Sequence, residues 1–317
     1  LTLTTTSALT TKIDATGYAG TLTIADRGAV SMEIIGSLGA DTIQMEKGGD
    51  TISGRTGSDT LDVNYYATIS GITVDLSSTE DQIVSFDGAA TSGTVTGFEK
   101  ITLADYTGGF GANVTSGSST TGTYEITGTL AADAIYFGLG TDTYNYKDDQ
   151  SAVMTADTVY NFTTGTDKIT LDNSEIETAG NIKSGATIKL SIAATDMSTG
   201  GLVVQFDDAG GITIADTTEL LVVGGASYTN ATLATALTAG AARAAVVNAG
   251  IDDDYDGLFV AYSDGTDGYI GVLFEGAGGN GSDTAYEAPE IVNLIKLAGV
   301  TEMLTGTLAT NDIELVT

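Results

Sequence analysis

Carboxylates at a fixed spacing, each behind a glycine, are the residues of this sequence best placed to do chemistry. Residues 36–62 read GSLGADTIQ, MEKGGDTIS and GRTGSDTLD, three nonapeptides in unbroken register. Asp41, Asp50 and Asp59 hold position six, and Gly39, Gly48 and Gly57 hold position four. Thr42, Thr51 and Thr60 follow each aspartate, and Ile43, Ile52 and Leu61 take position eight. Repeated carboxylates beside turns that visit positive φ suit a hard divalent cation, and Ca²⁺ takes six to eight oxygen ligands. The same residues also serve a series of Gly-Asp turns that holds no metal.

Two further stretches carry the same chemistry. Residues 128–136 and 137–145 are adjacent nonapeptides with Asp133 and Asp142 at position six. Residues 252–257, DDDYDG, space Asp252, Asp254 and Asp256 ahead of Gly257 as in an Asp-x-Asp-x-Asp-Gly calcium loop. Phe259 suits the apolar eighth position of such a loop, and Ser263 is a poor stand-in for its twelfth-position Glu. A solvated acidic turn is the alternative reading.

The nonapeptides resemble the RTX (repeats-in-toxin) repeats of proteins exported by bacterial type I secretion, which form calcium-binding parallel β-rolls. Gly97-Phe-Glu-Lys-Ile-Thr-Leu103 is similar to phrases in RTX-bearing surface-layer proteins, and residues 159–171 resemble a phrase that closes RTX segments. The resemblance implies a turn over the first six residues of each repeat, a short strand over the last three, and two repeats per coil. It places Asp41 and Asp59 on one edge of the roll and Asp50 on the other, with calcium between stacked turns. On that scheme Asp50 faces Met32 and Thr68 and lacks a carboxylate counterpart. Asp133 and Asp142 fall on opposite edges, and the positions two repeats on, near Asp148 and Asp157, are out of frame. Ser37, Met45, Glu46 and Arg55 stand where the family pattern has glycine.

Composition narrows the function classes. The 317 residues include 42 acidic and 11 basic ones, for a net charge of −31. Such a chain repels nucleic acid and anionic membrane surfaces and attracts divalent cations. Cysteine and histidine are both absent. That excludes disulfides, thiolate and His-ligated metal sites, and every His-containing catalytic triad. No apolar run reaches membrane-spanning length, and residues 1–14 lack the basic and apolar regions of a signal peptide. The start at Leu1 points to a fragment or mature portion of a longer chain.

The elements that must position these residues are mostly strands. Residues 20–24, 30–34 and 72–76 alternate apolar and polar, as half-buried strands do. Residues 27–35 make a degenerate repeat with Met32 in place of Asp. Residues 206–211 read as a hairpin loop and 258–275 as a hairpin. The Ala-rich stretch 230–249 reads as helix opening on Asn230, broken at Gly240. Residues 289–297 place apolar residues three and four apart behind Pro289, which predicts a second helix. The expected fold is mainly β: a parallel β-roll or β-solenoid with a β-rich C-terminal domain containing one or two short helices. The expected domains are an RTX-like segment 1–115, a second strand-rich segment 116–228, and a C-terminal domain 229–317 whose end resembles a type I secretion signal.

The leading functional expectation is an extracellular, calcium-dependent structural protein. It self-assembles on the bacterial cell surface, as surface-layer or filament subunits do. Other copies of itself are the expected partners, with cell-surface polysaccharide as a further one. An adhesin or carbohydrate-binding module is the alternative, drawing on 14 Tyr and 8 Phe. A calcium-assisted polysaccharide lyase would need a basic residue beside the metal, and Arg55 is the only arginine in the three clear repeats.

Overall fold

A computed structural model describes residues 1–4, 11–25, 31–46, 48–147, 156–172, 189–190, 202–206, 212–214, 218–224, 227–237, 245–247, 256–275, 289–303 and 312–316. The protein is mainly β and divides into two compact units, Leu1–Lys147 and Asp148–Thr317.

In the first unit short strands stack in parallel. One sheet runs Thr2–Thr4, Thr23–Ala25, Thr42–Met45, Thr60–Val63, Lys100–Thr102, Thr123–Thr127 and Thr141–Asn145. A second runs Lys12–Asp14, Glu33–Ile35, Thr51–Ser53 and Val95–Thr96. Up to Val63 the chain alternates between the two sheets, one strand to each. The nonapeptide explains this. Its threonines and other β-branched residues favour strand, and its single inward aliphatic residue suffices for a three-residue strand. Register stacks these residues into columns: Ile24, Ile43, Leu61, Ile101 and Ile126 in the first sheet, Ile34, Ile52 and Val95 in the second. Each is at most 1% exposed, and burying each is worth about 1.5–3 kcal/mol before entropy.

The regular step ends after Val63. Thr60 pairs with Lys100, so a long excursion separates these neighbours. It supplies two strands of a third sheet, in which Thr73–Asp75 is parallel to the later Asn113–Thr115, which is in turn parallel to Ala134–Tyr136, while Ile83–Ser85 adds antiparallel to Thr73–Asp75. Val74, Val114 and Ile135 form its inward column.

In the second unit, Pro289–Ala298 lies between Asp157–Tyr160, to which it is parallel, and Gly268–Glu275, to which it is antiparallel. Asp256–Ser263 and Gly268–Glu275 form the expected hairpin, and Thr218–Val223 and Leu202–Phe206 extend the sheet in parallel. Lys168–Asp172 pairs with Ile313–Val316.

Four sequence expectations are corrected. Residues 289–298 are a strand, not a helix. Ile270 pairs with Ile295 while Gly271 pairs with Asn293, so Leu294 is an extra residue in a bulge. The bulge brings Leu294 and Ile295 both inside, and with Ile291 it imitates helical spacing. Among the described residues of the Ala-rich stretch, Asn230–Leu237 is helical and Ala245–Val247 is a strand. Its N-cap is Thr229, whose carbonyl accepts from Leu233 N–H and whose hydroxyl accepts from Thr232 N–H. Among the described residues, Leu202–Phe206 pairs with Thr218–Val223 and Ile212–Ile214 with Ala245–Val247, so these two strands are not paired as a hairpin; residues 207–211 between them lie outside the described residues. Finally, Thr68 is not the neighbour of Asp50. Ile52 pairs with Val95, which brings Gly93 alongside Asp50.

Candidate cation site and the aspartate corners

Each position-six aspartate ends its turn and opens its strand with the side chain turned inward. Asp41, Asp50, Asp59, Asp133 and Asp142 are all at most 3% exposed. Asp41 and Asp59 lie at adjacent strands of the first sheet, and Asp50 belongs to the second sheet. Asp133 precedes a strand of the third sheet, and Asp142 lies in a strand of the first.

Two kinds of hydrogen bond hold these carboxylates. The first closes the residue's own turn from four residues back. Ser37 N–H donates to Asp41 Oδ2 at 2.6 Å, Thr129 N–H to Asp133 Oδ2 at 2.8 Å, and Gly138 N–H to Asp142 Oδ2 at 3.0 Å. Asp167 in the second unit accepts from Thr163 N–H in the same way. The second kind reaches the neighbouring strand. Leu22 N–H donates to Asp41 at 3.0 Å, Met32 N–H to Asp50 at 3.0 Å, Asp41 N–H to Asp59 at 2.7 Å, and Ala112 N–H to Asp133 at 2.6 Å. The carboxylates thus extend the parallel ladder one step beyond the strand ends. They satisfy amides that would otherwise be buried without partners.

Residues that depart from the glycine pattern complete this arrangement. The Ser37 hydroxyl donates to Asp41 at 2.6 Å, and the equivalent Thr129 hydroxyl donates to Asp133 at 2.7 Å. Tyr144 OH adds a bond to Asp133 at 3.3 Å. Burial pushes the Asp133 carboxyl above its usual range, against the pull of these donors.

The third repeat differs. Arg55 occupies the position of Ser37 and Thr129 but has φ 75°, the left-handed region. Arg55 N–H makes no turn bond to Asp59, and Asp59 Oδ2 is a buried atom with no hydrogen-bond partner. Gly57, with φ 152°, leaves no room for a side chain, since a Cβ would lie 2.7 Å from the Gly39 carbonyl oxygen and 2.9 Å from Asp59 Oδ1. Gly39 is also tight, its Cβ position lying 3.1 Å from the Gly20 carbonyl. On the far side, Glu99 accepts from Asp59 N–H at 2.9 Å. Burial pushes the Asp59 carboxyl up to about 6, opposed by the Asp41 N–H and reinforced by the nearby Asp41 and Glu99 carboxylates.

A cation finds different prospects at these corners. At Asp41 and Asp133 both oxygens face amide or hydroxyl hydrogens, which repel a cation. At Asp59 one buried oxygen is open, and Glu99 supplies a second carboxylate on the adjoining strand. Carboxylate oxygens are the donor type Ca²⁺ takes, and the Asp59–Glu99 corner brings two of the six to eight oxygens that such an ion needs. Among the described residues no three acidic, His or Cys side chains gather as a metal-holding group. Asp252 and Asp254 lie outside the described residues, as does Asp148. Asp256 opens the strand Asp256–Ser263 and pairs with Lys189. The Ser263 hydroxyl donates to the Thr301 carbonyl at 2.7 Å.

Sequence reasoning missed two acids. Glu99 lies within the phrase 97–103, but its place beside Asp59 follows only from the pairing of Thr60 with Lys100. Asp87, at φ 51°, reaches the backbone N–H groups of Thr68, Ile69 and Ser70, the Thr68 hydroxyl and Tyr65 OH. These bonds, Ser70 N–H foremost, lower its carboxyl to about 2. Nothing in the local sequence marks it. The chain matches no known protein family, and no characterised protein is found to be similar to it.

The raised carboxyl of Asp59 has a testable sign. A folded-state value above the unfolded one means that its contribution is full below about pH 3.8 and is lost as pH rises through about 6. In chelator, Asp59→Asn is expected to remove a stability loss of about 1–2 kcal/mol between pH 4 and 7; the exposed turn 56–58 keeps it below the full value. Urea midpoints across that range check it. An unchanged pH profile would show that Asp59 does not titrate there.

Proposed function

We propose that this chain is an RTX-like, calcium-responsive structural protein, built on a parallel β-roll, that assembles with copies of itself outside the cell. The observation that carries the reading is the Asp59–Glu99 corner: a buried carboxylate oxygen without a hydrogen-bond partner, on the same sheet as Asp41. Asp59, with Glu99 from the adjoining strand, would hold the ion. Calcium would neutralise the Asp59–Glu99 repulsion and offset part of the self-repulsion of a −31 chain, which links folding to the ion.

Two features support assembly. Strands with unpaired edges template further pairing, and among the described residues Thr2–Thr4 pairs on one side only. Columns of stacked short strands also leave end faces that a second copy can cover. Among the described residues no helix is long and apolar enough to cross a membrane.

Calcium added to the chelated protein is expected to sharpen the thermal transition, with ordered assemblies visible by negative-stain microscopy. Asp59→Asn is expected to blunt the calcium response. Folding without assembly would sink the structural role. A response to neither calcium nor its removal would sink the calcium site as well.

A further inference from the structure

We propose that the first unit carries a binding cleft for a neutral saccharide, walled by segments 53–55, 76–82, 96–99 and 118–124. The cleft has a volume of about 480 Å³, within the range of small-ligand sites. Its walls are rich in hydroxyls. Those of Ser53, Thr79, Thr96 and Ser118 have no protein hydrogen-bond partner among the described residues, so each is free to donate and accept. Ser78 Oγ accepts from Glu80 and Asp81 N–H and keeps its own proton to donate.

Apolar surface adjoins these hydroxyls. It comes chiefly from the half-buried Tyr124 ring, which stands in the wall wedged against Gly117 and Gly122, while Leu76 and Phe98 back the lining from the buried core. A pyranose has the matching character: a rim of hydroxyls that donate and accept, around apolar C–H faces that pack on aromatic and aliphatic carbon.

Charge selects the ligand class further. Arg55 and Glu99 both line the cleft. The Arg55 guanidinium donates to the Thr16 carbonyl at 3.1 Å and makes no ion pair among the described residues. One oxygen of Glu99 is engaged by Asp59 N–H. The −31 chain around the cleft repels phosphorylated or sulfated ligands. Arg55 also sits at positive φ, where glycine would be relaxed, and strained positions of this kind concentrate at binding sites.

The test is calorimetric titration of the whole chain with cellotetraose, maltotetraose and chitotetraose, and with a heparin tetrasaccharide as the charged comparator. At least one neutral tetrasaccharide is expected to bind and heparin to fail. Tyr124→Ala, Thr79→Trp, which plugs the cleft from an exposed position, and Arg55→Gly, which suits the local φ, are each expected to weaken binding about tenfold or more. Circular dichroism melts verify that each variant is folded. The proposal is overturned if no neutral tetrasaccharide binds, if heparin is preferred, or if folded Thr79→Trp and Arg55→Gly both bind as the parent does.

Discussion

Asp133→Ala is expected to destabilise the first unit by about 3–5 kcal/mol. The substitution strips acceptors from Ala112 N–H, Thr129 N–H and the Thr129 hydroxyl, and from Tyr144 OH. All lie around a residue only 3% exposed, so water does not readily replace the carboxylate. Asp133→Asn is expected to cost less. It keeps one carbonyl acceptor and removes a charge whose burial is unfavourable, but it turns an NH₂ toward an amide donor. The chain has no Trp, so far-ultraviolet circular dichroism in a urea titration is the measurement. A loss below about 1 kcal/mol for Asp133→Ala would mean that these bonds are replaced by solvent.

Gly111→Ala is expected to cost about 3 kcal/mol or more, by a different route. The new Cβ would run into the Ala132 carbonyl oxygen in the turn just before the strand Ala134–Tyr136, and Asp133 Oδ1 lies 3.3 Å away. Neither atom has freedom to retreat, because the backbone is locked in register and the carboxylate is held by its donors. Gly71 stands in the same relation to the Gly111 carbonyl. Gly17→Ala is the control: nothing lies within 4 Å of its Cβ position, and the same urea midpoint should move by less than about 0.5 kcal/mol. Because Gly111 and Asp133 share a corner, the double variant should lose less than the two single losses combined. Full additivity would argue against that shared corner.

The strand positions of residues 36–62 were legible in the sequence because the local rule is strict: one aspartate, one threonine and one inward aliphatic residue per nine. That Asp41 and Asp59 share a sheet, apart from Asp50, was also legible. The occupancy of the carboxylates was not. It depends on which amide the neighbouring strand presents, and on whether position two carries a hydroxyl. Ser37 looked like a defect in a glycine pattern and is instead a hydrogen-bond donor, as is Thr129 at the same position of its own repeat. Arg55 looked like the same defect and has the opposite effect, because its φ withdraws the turn amide. Glu99 was hidden by the long excursion that precedes it. The strand at 289–298 was misread because a bulge at Leu294 breaks two-residue alternation and leaves a spacing that a helix shares. The acidic loop 252–255 lies outside the described residues.

The double grip of the aspartates bears on how the first unit melts. In most stacked repeat proteins each layer has its own stability, and end layers fray independently. In Asp41 and Asp133 one carboxyl group fastens both its own turn and the neighbouring layer. Loosening the turn releases the interlayer bond, and parting the layers releases the turn. Local and long-range order therefore fail together, and the first unit should melt in one steep transition with little fraying at its ends.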